Sequence, residues 1–269
     1  MSHPAKVLIL GGTAEARQLA GKMAGDGRFL TELSLAGRTK VPAPQPVPLR
    51  TGGFGGAEGL ATYLRDHGIC LLIDATHPYA ARISRNAAEA ARISGVPQVA
   101  LRRLPWENEA GDRWTGVETI DMAVTALGHT PRRVFLTLGR QELLPFEGAP
   151  QHHYLIRSVD PVEPPLAVSD AVYLTSRGPF READEAALLT EHKIEVIVAK
   201  NSGGPASYGK IAAARALGIE VVVIRRPDLP LVPSVETVED MLGFLDHFAS
   251  FPSALAAAVP FGPGQERGE

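Results

Sequence analysis

Two glycines near the amino terminus are the first residues whose type and spacing could do chemistry. Gly11 and Gly12, followed by Thr13, come directly after the apolar residues 7–10 and directly before a helical pattern. Glycines at a strand-to-helix turn let the backbone approach a phosphate closely, and the start of the helix adds N–H groups and a partial positive charge. The turn therefore predicts a nucleotide site, although Thr13 and Ala16 stand where the G-x-G-x-x-G pattern has its later glycines. The alternative is a plain turn with Thr13 as the helix N-cap.

An arginine follows the second predicted strand. Arg38 and Thr39 come after residues 29–35, and no Asp or Glu occurs in residues 34–40. NAD-binding proteins commonly place an acidic residue here for the ribose 2′-hydroxyl, whereas an arginine suits a 2′-phosphate. This favours NADPH over NADH, against the alternative of an ordinary exposed loop arginine. The residues assigned to the cofactor are Gly11, Gly12, Thr13, Glu15, Ala16, Arg17, Arg38, Thr39 and Thr76.

Three other predicted strand ends are rich in polar residues, and ligands of open α/β sheets bind beyond the carboxyl ends of the strands. These ends fall in residues 74–86, 138–142 and 199–204. The third places a lysine before small polar residues and two glycines, a pattern typical of an anion-binding turn. The alternatives are a capped helix with a solvated polar face for the first and a tight turn for the third. The polar residues concerned are His77, Tyr79, Arg82, Arg85 and Asn86, then Arg140, and then Lys200, Asn201, Ser202 and Gly203.

The composition is typical of a globular protein and gives no sign of a nucleic-acid partner. The 269 residues carry a net charge of −3, are 45% hydrophobic and contain no basic stretch. The eight histidines lack the spacing of a zinc site, so no metal is expected. Cys70, the single cysteine, lies in an apolar run and is predicted to be a core residue. Neither a signal peptide nor a membrane helix is expected, which makes the cytoplasm the expected location.

Strand and helix patterns alternate along the chain, which predicts βαβ units and parallel sheets. A break near residues 128–131 divides the pattern into two similar halves. The predicted fold class is therefore α/β, with two Rossmann-like domains and a cleft between them. We expect an NADPH-binding domain over residues 1–128 and a second domain, contributing to the substrate cleft, over residues 129–250. Residues 251–269 are expected to form a disordered tail. Residues 117–127 are predicted to be helical.

Taken together, these motifs resemble those of the precorrin-6A reductase family of cobalamin (vitamin B12) biosynthesis. The matching motifs are residues 8–17, residues 74–80 and residues 199–204 before a helix, and Arg140 after a strand is a further matching residue. The likeness extends from about residue 7 to residue 248, and three separated motifs in the same order make it specific. Residues 41–48 and the carboxyl-terminal tail match nothing in the family pattern.

The resemblance implies an oxidoreductase that acts on a CH–CH group. It would reduce one double bond of the precorrin-6A macrocycle with NADPH and give precorrin-6B. The substrate is a large flat ring with many acetate and propionate groups, which call for cationic and N–H donors. The residues assigned to the substrate are Arg82, Arg85, Asn86, Arg140, Arg177, Asn201, Ser202 and Gly203. The proton that follows the hydride is assigned to His77, Tyr79 or Lys200, with a bound water as the alternative.

Two other functions remain as alternatives. A methyltransferase using S-adenosylmethionine also has a glycine turn after its first strand, but it usually carries an acidic residue where Arg38 stands. A non-catalytic NADPH-binding sensor would not need the second set of polar strand ends. The expected partner is a tetrapyrrole small molecule, with no nucleic acid and no membrane, and the protein is expected to be a monomer or a small homo-oligomer. Whether the ring carries cobalt stays open.

Overall fold

A computed structural model of the protein describes residues 3–37 and 44–250. Its strands are β1 Ala5–Leu10, β2 Phe29–Leu35, β3 Leu49–Thr51, β4 Leu71–Asp74, β5 Gln98–Leu101, β6 Arg113–Val117, β7 Arg133–Thr137, β8 His153–Ser158, β9 Ala171–Thr175, β10 Val196–Lys200, β11 Glu220–Ile224 and β12 Ser234–Val235. Its helices are α1 Ala14–Met23, α2 Gly56–Asp66, α3 Ala81–Ser94, α4 Ile120–Ala126, α5 Glu182–Glu191, α6 Gly209–Leu217 and α7 Val238–Ser250. The predicted α/β class is confirmed.

The first sheet has the strand order β3-β2-β1-β4-β5-β12, and its paired strands are parallel. Successive side chains of β1 point to opposite faces. Val7 and Ile9 pack with α1 and α7, whereas Leu8 and Leu10 pack with α2 and α3. Helices therefore cover both faces, as in a Rossmann fold. We call the edge at which the strands of a sheet end its carboxyl edge, and the edge at which they begin its amino edge.

The second sheet repeats this plan with the order β9-β8-β7-β10-β11-β6, again with parallel pairs. Phe135, Leu155 and Ile197 are fully buried on one face, where they pack with residues of α5 and α6. In each sheet the strand order reverses direction beside the central strand, between β1 and β4 in the first and between β7 and β10 in the second. Ligands of doubly wound sheets bind at the carboxyl edge beside such a reversal.

The chain does not divide where the sequence suggested. Among the described residues, 3–37, 44–102 and 229–250 form the first unit, and 103–228 form the second. This differs from the predicted boundary after residue 128, because β6 and α4 belong to the second unit and β12 and α7 return to the first. The first sheet thus takes its sixth strand, β12, from beyond the second unit, whereas the second sheet consists of the consecutive strands β6 to β11. The predicted tail, residues 251–269, lies outside the described residues.

One local prediction was wrong, and another placed a helix correctly but began it too early. Cys70 is exposed, because it lies one residue before β4 at the amino edge rather than inside the strand. Residues 117–127 are not one helix: β6 ends at Val117, and Thr119 then caps α4 by accepting a hydrogen bond from the N–H of Met122. Most side chains of β6 are exposed because β6 is the edge strand of its sheet, so its sequence lacks the apolar pattern of a buried strand.

The second unit buries a group of charged side chains. Arg157 in β8 donates two hydrogen bonds to Glu185 in α5, at 2.5 and 2.8 Å, and its guanidinium lies 3.8 Å from the ring centre of Phe180. Lys210 in α6 is only 5% exposed and donates to the carbonyl of Ser207 at 2.8 Å. Arg157 and Lys210 therefore share the one buried carboxylate of Glu185. Glu185 offsets only part of the free energy that burying a charged Lys210 amine costs.

Candidate active site

The glycine turn lies at the reversal point of the first sheet. Gly12 has φ +122°, a conformation that L side chains rarely adopt, and a Cβ added there would meet no atom within 4 Å. A Cβ on Gly11 would instead lie 2.6 Å from Leu33 Cδ1. Gly11 is therefore required because a side chain there would collide with Leu33 of β2. Gly12 is required for the positive φ of the turn, and the space beside it is open. Such a turn suits the close approach of a phosphate.

Thr13 has the capping role that the sequence offered as an alternative. Its hydroxyl accepts a hydrogen bond from the N–H of Ala16 at 3.0 Å and donates one to the carbonyl of Ala75 at 2.9 Å. The second bond ties the turn after β1 to the end of β4. Ala16 is 1% exposed, so it serves packing and capping, whereas Glu15 is half-buried and Arg17 is exposed in the first turn of α1. The cap fixes where the helix N–H groups point.

The end of β4 is held by Asp74. This side chain is 2% exposed, and its Oδ1 accepts from the N–H of Thr76 at 3.2 Å and from the Thr76 hydroxyl at 2.6 Å. The N–H of Ala75 donates to the carbonyl of Leu10 at 2.9 Å. Thr76 is thereby fixed at the carboxyl edge, on the strand next to the glycine turn. The structure brings this predicted cofactor residue together with Gly11, Gly12 and Thr13.

His77 and Tyr79 follow on the same loop, both half-buried. His77 Nδ1 accepts from the N–H of Tyr79 at 3.3 Å, so a neutral His77 carries its proton on Nε2. The two rings lie 5.7 Å apart between their centres. Both side chains are at the carboxyl edge of the first sheet, and each carries a proton that it could donate.

Helix α3 presents the predicted substrate residues of the first unit. Arg82 and Arg85 are exposed, and neither makes an ion pair with any residue of 3–37 or 44–250. Asn86, which follows Arg85 in α3, is half-buried. Glu89, which has the spacing to pair with Arg85, pairs with Arg92 at 2.6 Å instead. The first two turns of α3 therefore keep two positive charges directed at solvent, which suits recognition of carboxylates. Arg38 and Thr39 lie outside the described residues.

An ion pair occupies the reversal point of the second sheet. Lys200, the last residue of β10, pairs with Glu142, which lies in the turn after β7. Glu142 also accepts from the N–H of Gly139 at 3.0 Å. Sequence reasoning assigned Lys200 but no role to Glu142, although Glu142 stands in the polar stretch after β7. The pair places the Lys200 amine at the carboxyl edge, where a ligand of this sheet would bind.

Arg140 and Arg177 lie on either side of Asp160. Arg140 follows β7, Asp160 follows β8 and Arg177 follows β9, so the three come from neighbouring strands of the second sheet. Arg140 Nη2 lies 3.7 Å from Asp160 Oδ2, and Arg177 Nη2 lies 3.7 Å from Asp160 Oδ1. The structure brings these two predicted substrate residues together, and Asp160 is a residue of this group that sequence reasoning missed.

The turn after β10 holds a neighbouring segment of its own unit. Asn201 accepts from the backbone N–H of Trp106 at 2.7 Å and donates to its carbonyl at 2.8 Å. The carbonyl of Ser202 accepts from Arg103 at 2.7 Å, and a Cβ on Gly203 would lie 2.0 Å from the Leu104 carbonyl oxygen. These contacts show a structural role for Asn201, Ser202 and Gly203, the tight turn that was the alternative. Their assignment to the substrate remains a prediction.

Other kinds of site receive no support from the described part of the chain. No group of three or more potential metal-ligating side chains occurs in residues 3–37 and 44–250. No helix within those residues is long and apolar enough to cross a membrane.

The comparisons with known proteins agree on one family. A family model described as precorrin-6x reductase CbiJ/CobK matches residues 6–246. A precorrin-6A reductase from Sinorhizobium sp is 58% identical over 243 residues, covering 90% of this chain and 93% of that protein. One from Rhodobacter capsulatus is 48% identical over 246 residues, covering 91% and 98%. A solved structure of CobK precorrin-6A reductase is 47% identical with a TM-score of 0.86, and the alignment covers 90% of this chain and 96% of that one. This chain belongs to the precorrin-6x reductase family.

Proposed function

We propose that the protein reduces one double bond of precorrin-6A with NADPH and gives precorrin-6B, a step of cobalamin biosynthesis. Membership in a reductase family implies a nicotinamide cofactor in general, and the family name implies a tetrapyrrole substrate. The observation that carries the proposal is the turn at Gly12, whose left-handed backbone and open space lie at the reversal point of a Rossmann sheet. This arrangement fits the diphosphate of a dinucleotide.

The cofactor would be held by the first unit. The turn at Gly11 and Gly12 and the start of α1 would receive the phosphates, and Thr76 on the adjacent strand would lie toward the nicotinamide half. When bound, NADPH supplies the hydride. This chain supplies binding, orientation and exclusion of water, because the conjugated ring is itself an electrophile and needs no covalent help.

Arg38 is proposed to recognise the 2′-phosphate, because it follows β2, where a dinucleotide places its adenine ribose. Arg38→Ala is expected to raise the Kd of NADPH about tenfold while changing the Kd of NADH little, since only NADPH carries the phosphate that a guanidinium binds. Fluorescence titration with both nucleotides measures this. Arg92→Ala, which removes an exposed arginine from the far end of α3, is the matched control. An equal loss for the two nucleotides would show that Arg38 does not read the 2′-phosphate.

The proton that completes the reduction is proposed to come from His77, Tyr79 or Lys200. His77 Nε2–H and the Tyr79 hydroxyl stand at the carboxyl edge of the first sheet, and the Lys200 amine stands at that of the second. The variants His77→Ala, Tyr79→Phe and Lys200→Ala are each tested for single-turnover oxidation of NADPH with precorrin-6A. The donor's variant is expected to slow by about a hundredfold, a typical effect of general-acid removal. Wild-type rates in all three variants would point to a bound water instead.

Substrate carboxylates are proposed to bind Arg82 and Arg85 in the first unit and Arg140 and Arg177 in the second. Asn86, Asn201, Ser202 and Gly203 would assist at the same carboxyl edges. We further propose a cytoplasmic location, in keeping with the single cysteine, which excludes an intrachain disulfide. A monomer or a small homo-oligomer is proposed as the working state.

A further inference from the structure

Asp160 lies beneath two arginines that face solvent. Its side chain is 13% exposed, whereas those of Arg140 and Arg177 are 32% and 47% exposed. Each oxygen of the one carboxylate faces a different guanidinium, and both distances are 3.7 Å. The chain around Asp160 is itself fixed, because its carbonyl accepts from the Ser158 hydroxyl at 2.6 Å and the Pro161 carbonyl accepts from Arg140 at 3.3 Å.

The charges explain why a carboxylate is needed at this place. The two guanidiniums come from the strands on either side of β8 and repel each other, and long arginine side chains would separate into solvent without a shared counter-charge. Asp160 is a counter-charge that the two guanidiniums share, one at each carboxylate oxygen. Both arginine side chains are more exposed than that of Asp160, so an incoming anion meets arginine before it meets aspartate.

The ligand chemistry that matches this arrangement is a pair of carboxylates on one rigid frame. An arginine binds a carboxylate through parallel N–H donors, and two arginines held at a fixed spacing can bind two carboxylates at once. A substrate whose ring bears acetate and propionate side chains presents such pairs. We infer that Asp160 is a positioning residue that holds Arg140 and Arg177 as a paired receptor for two neighbouring carboxylates of the tetrapyrrole. This inference rests on the proposed function.

The test compares Asp160→Asn with wild type, using precorrin-6A and NADPH. The amide keeps the size of the side chain but not its charge. We expect KM for precorrin-6A to rise about tenfold, with kcat within about twofold and the Kd of NADPH unchanged, because only substrate binding depends on the pair. Asp160→Glu keeps the charge and is expected to restore KM to within about threefold of wild type. Glu220→Gln, which breaks the ion pair with Arg132 at the amino edge of the same sheet, is the control and should leave KM unchanged.

A double variant shows whether Asp160 acts through an arginine. Asp160→Asn combined with Arg177→Gln is expected to raise KM no further than Arg177→Gln alone, since the two changes disrupt one receptor. An unchanged KM in Asp160→Asn, a lower KM, or no recovery in Asp160→Glu would each overturn the inference. A lower KM would mean that the carboxylate only repels the substrate. Wild-type protein that fails to oxidise NADPH with precorrin-6A would instead overturn the proposed function.

Discussion

Gly12→Asp is expected to raise the Kd of NADPH by about a hundredfold, equivalent to about 2.7 kcal/mol. The φ of Gly12 is +122°, and a Cβ at this position would meet no atom within 4 Å, so the new side chain has room in the folded protein. Its carboxylate would enter the space proposed for the cofactor phosphates and repel them. The left-handed backbone costs a non-glycine residue about 1–2 kcal/mol, which the fold can tolerate. Equilibrium titration of the purified variant with NADPH gives the affinity.

Gly25→Asp is the matched control for this change. Gly25 has φ +88° and equally open surroundings, but it follows α1 at the amino edge of the same sheet. Both variants place a non-glycine residue at a positive φ and add the same charge, so both are expected to lose some stability. Only Gly12→Asp should lose NADPH. If Gly12→Asp and Gly25→Asp bound NADPH with equal affinity, the glycine turn would not be part of the cofactor site.

Lys210→Met is expected to stabilise the protein by up to about 5 kcal/mol below pH 7. Burial, with a smaller contribution from Arg157, lowers the pKa of Lys210 from 10.5 to about 7, and Glu185 opposes this shift only in part. Below pH 7 the folded protein must carry a buried ammonium that the unfolded chain hydrates freely. Methionine fills the same space beside the Trp106 ring, whose centre lies 5.0 Å from the Lys210 amine, without that cost.

The sign of the pH dependence follows from proton binding. Between about pH 7 and pH 10.5 the unfolded chain holds a proton on Lys210 that the folded protein has lost, so the wild-type free energy of unfolding rises with pH. The rise is at most about 1.4 kcal/mol per pH unit. The free energy of unfolding of Lys210→Met should not show this rise with pH. The difference in the free energy of unfolding between Lys210→Met and wild type should therefore become smaller toward pH 10. Urea unfolding at several pH values measures this, with Lys22→Met in the exposed face of α1 as control. Parallel curves for Lys210→Met and wild type would refute a buried neutral lysine.

Strong local patterns made most of the fold predictable. The apolar runs of β1, β4 and β10 are buried along their whole length or nearly so, and turns containing glycine follow β1 and β10. The placement of β6 in the second sheet and of β12 in the first could not be predicted, because β12 has two residues and β6 is mostly exposed. Contacts between residues distant in sequence decide which sheet such a short strand joins. The local hydrophobic periodicity of the sequence contains no information about these contacts.

The sequence motifs of the candidate site could be predicted, but the residues that contact them could not. Gly12, Thr76 and Lys200 follow strand ends, and the reversal of strand order brings them to the expected edges. Asp160 was not foreseen, because an isolated aspartate after a strand is typical of an exposed loop. The contacts of the Asn201 side chain with the backbone of Trp106 were not foreseen either, and its assignment to the substrate stays a prediction. A polar turn that binds another segment of the chain and one that binds a ligand have the same composition.

The transfer of hydride from NADPH to precorrin-6A is the most direct test of the proposed function. The purified protein is incubated with precorrin-6A and NADPH that carries deuterium at both positions of nicotinamide C4, and the product is analysed by mass spectrometry. The account predicts a product that gains two hydrogens, one of them deuterium from the cofactor and the other a proton derived from solvent. A substrate recovered unchanged, or a reduced product without deuterium, would contradict it.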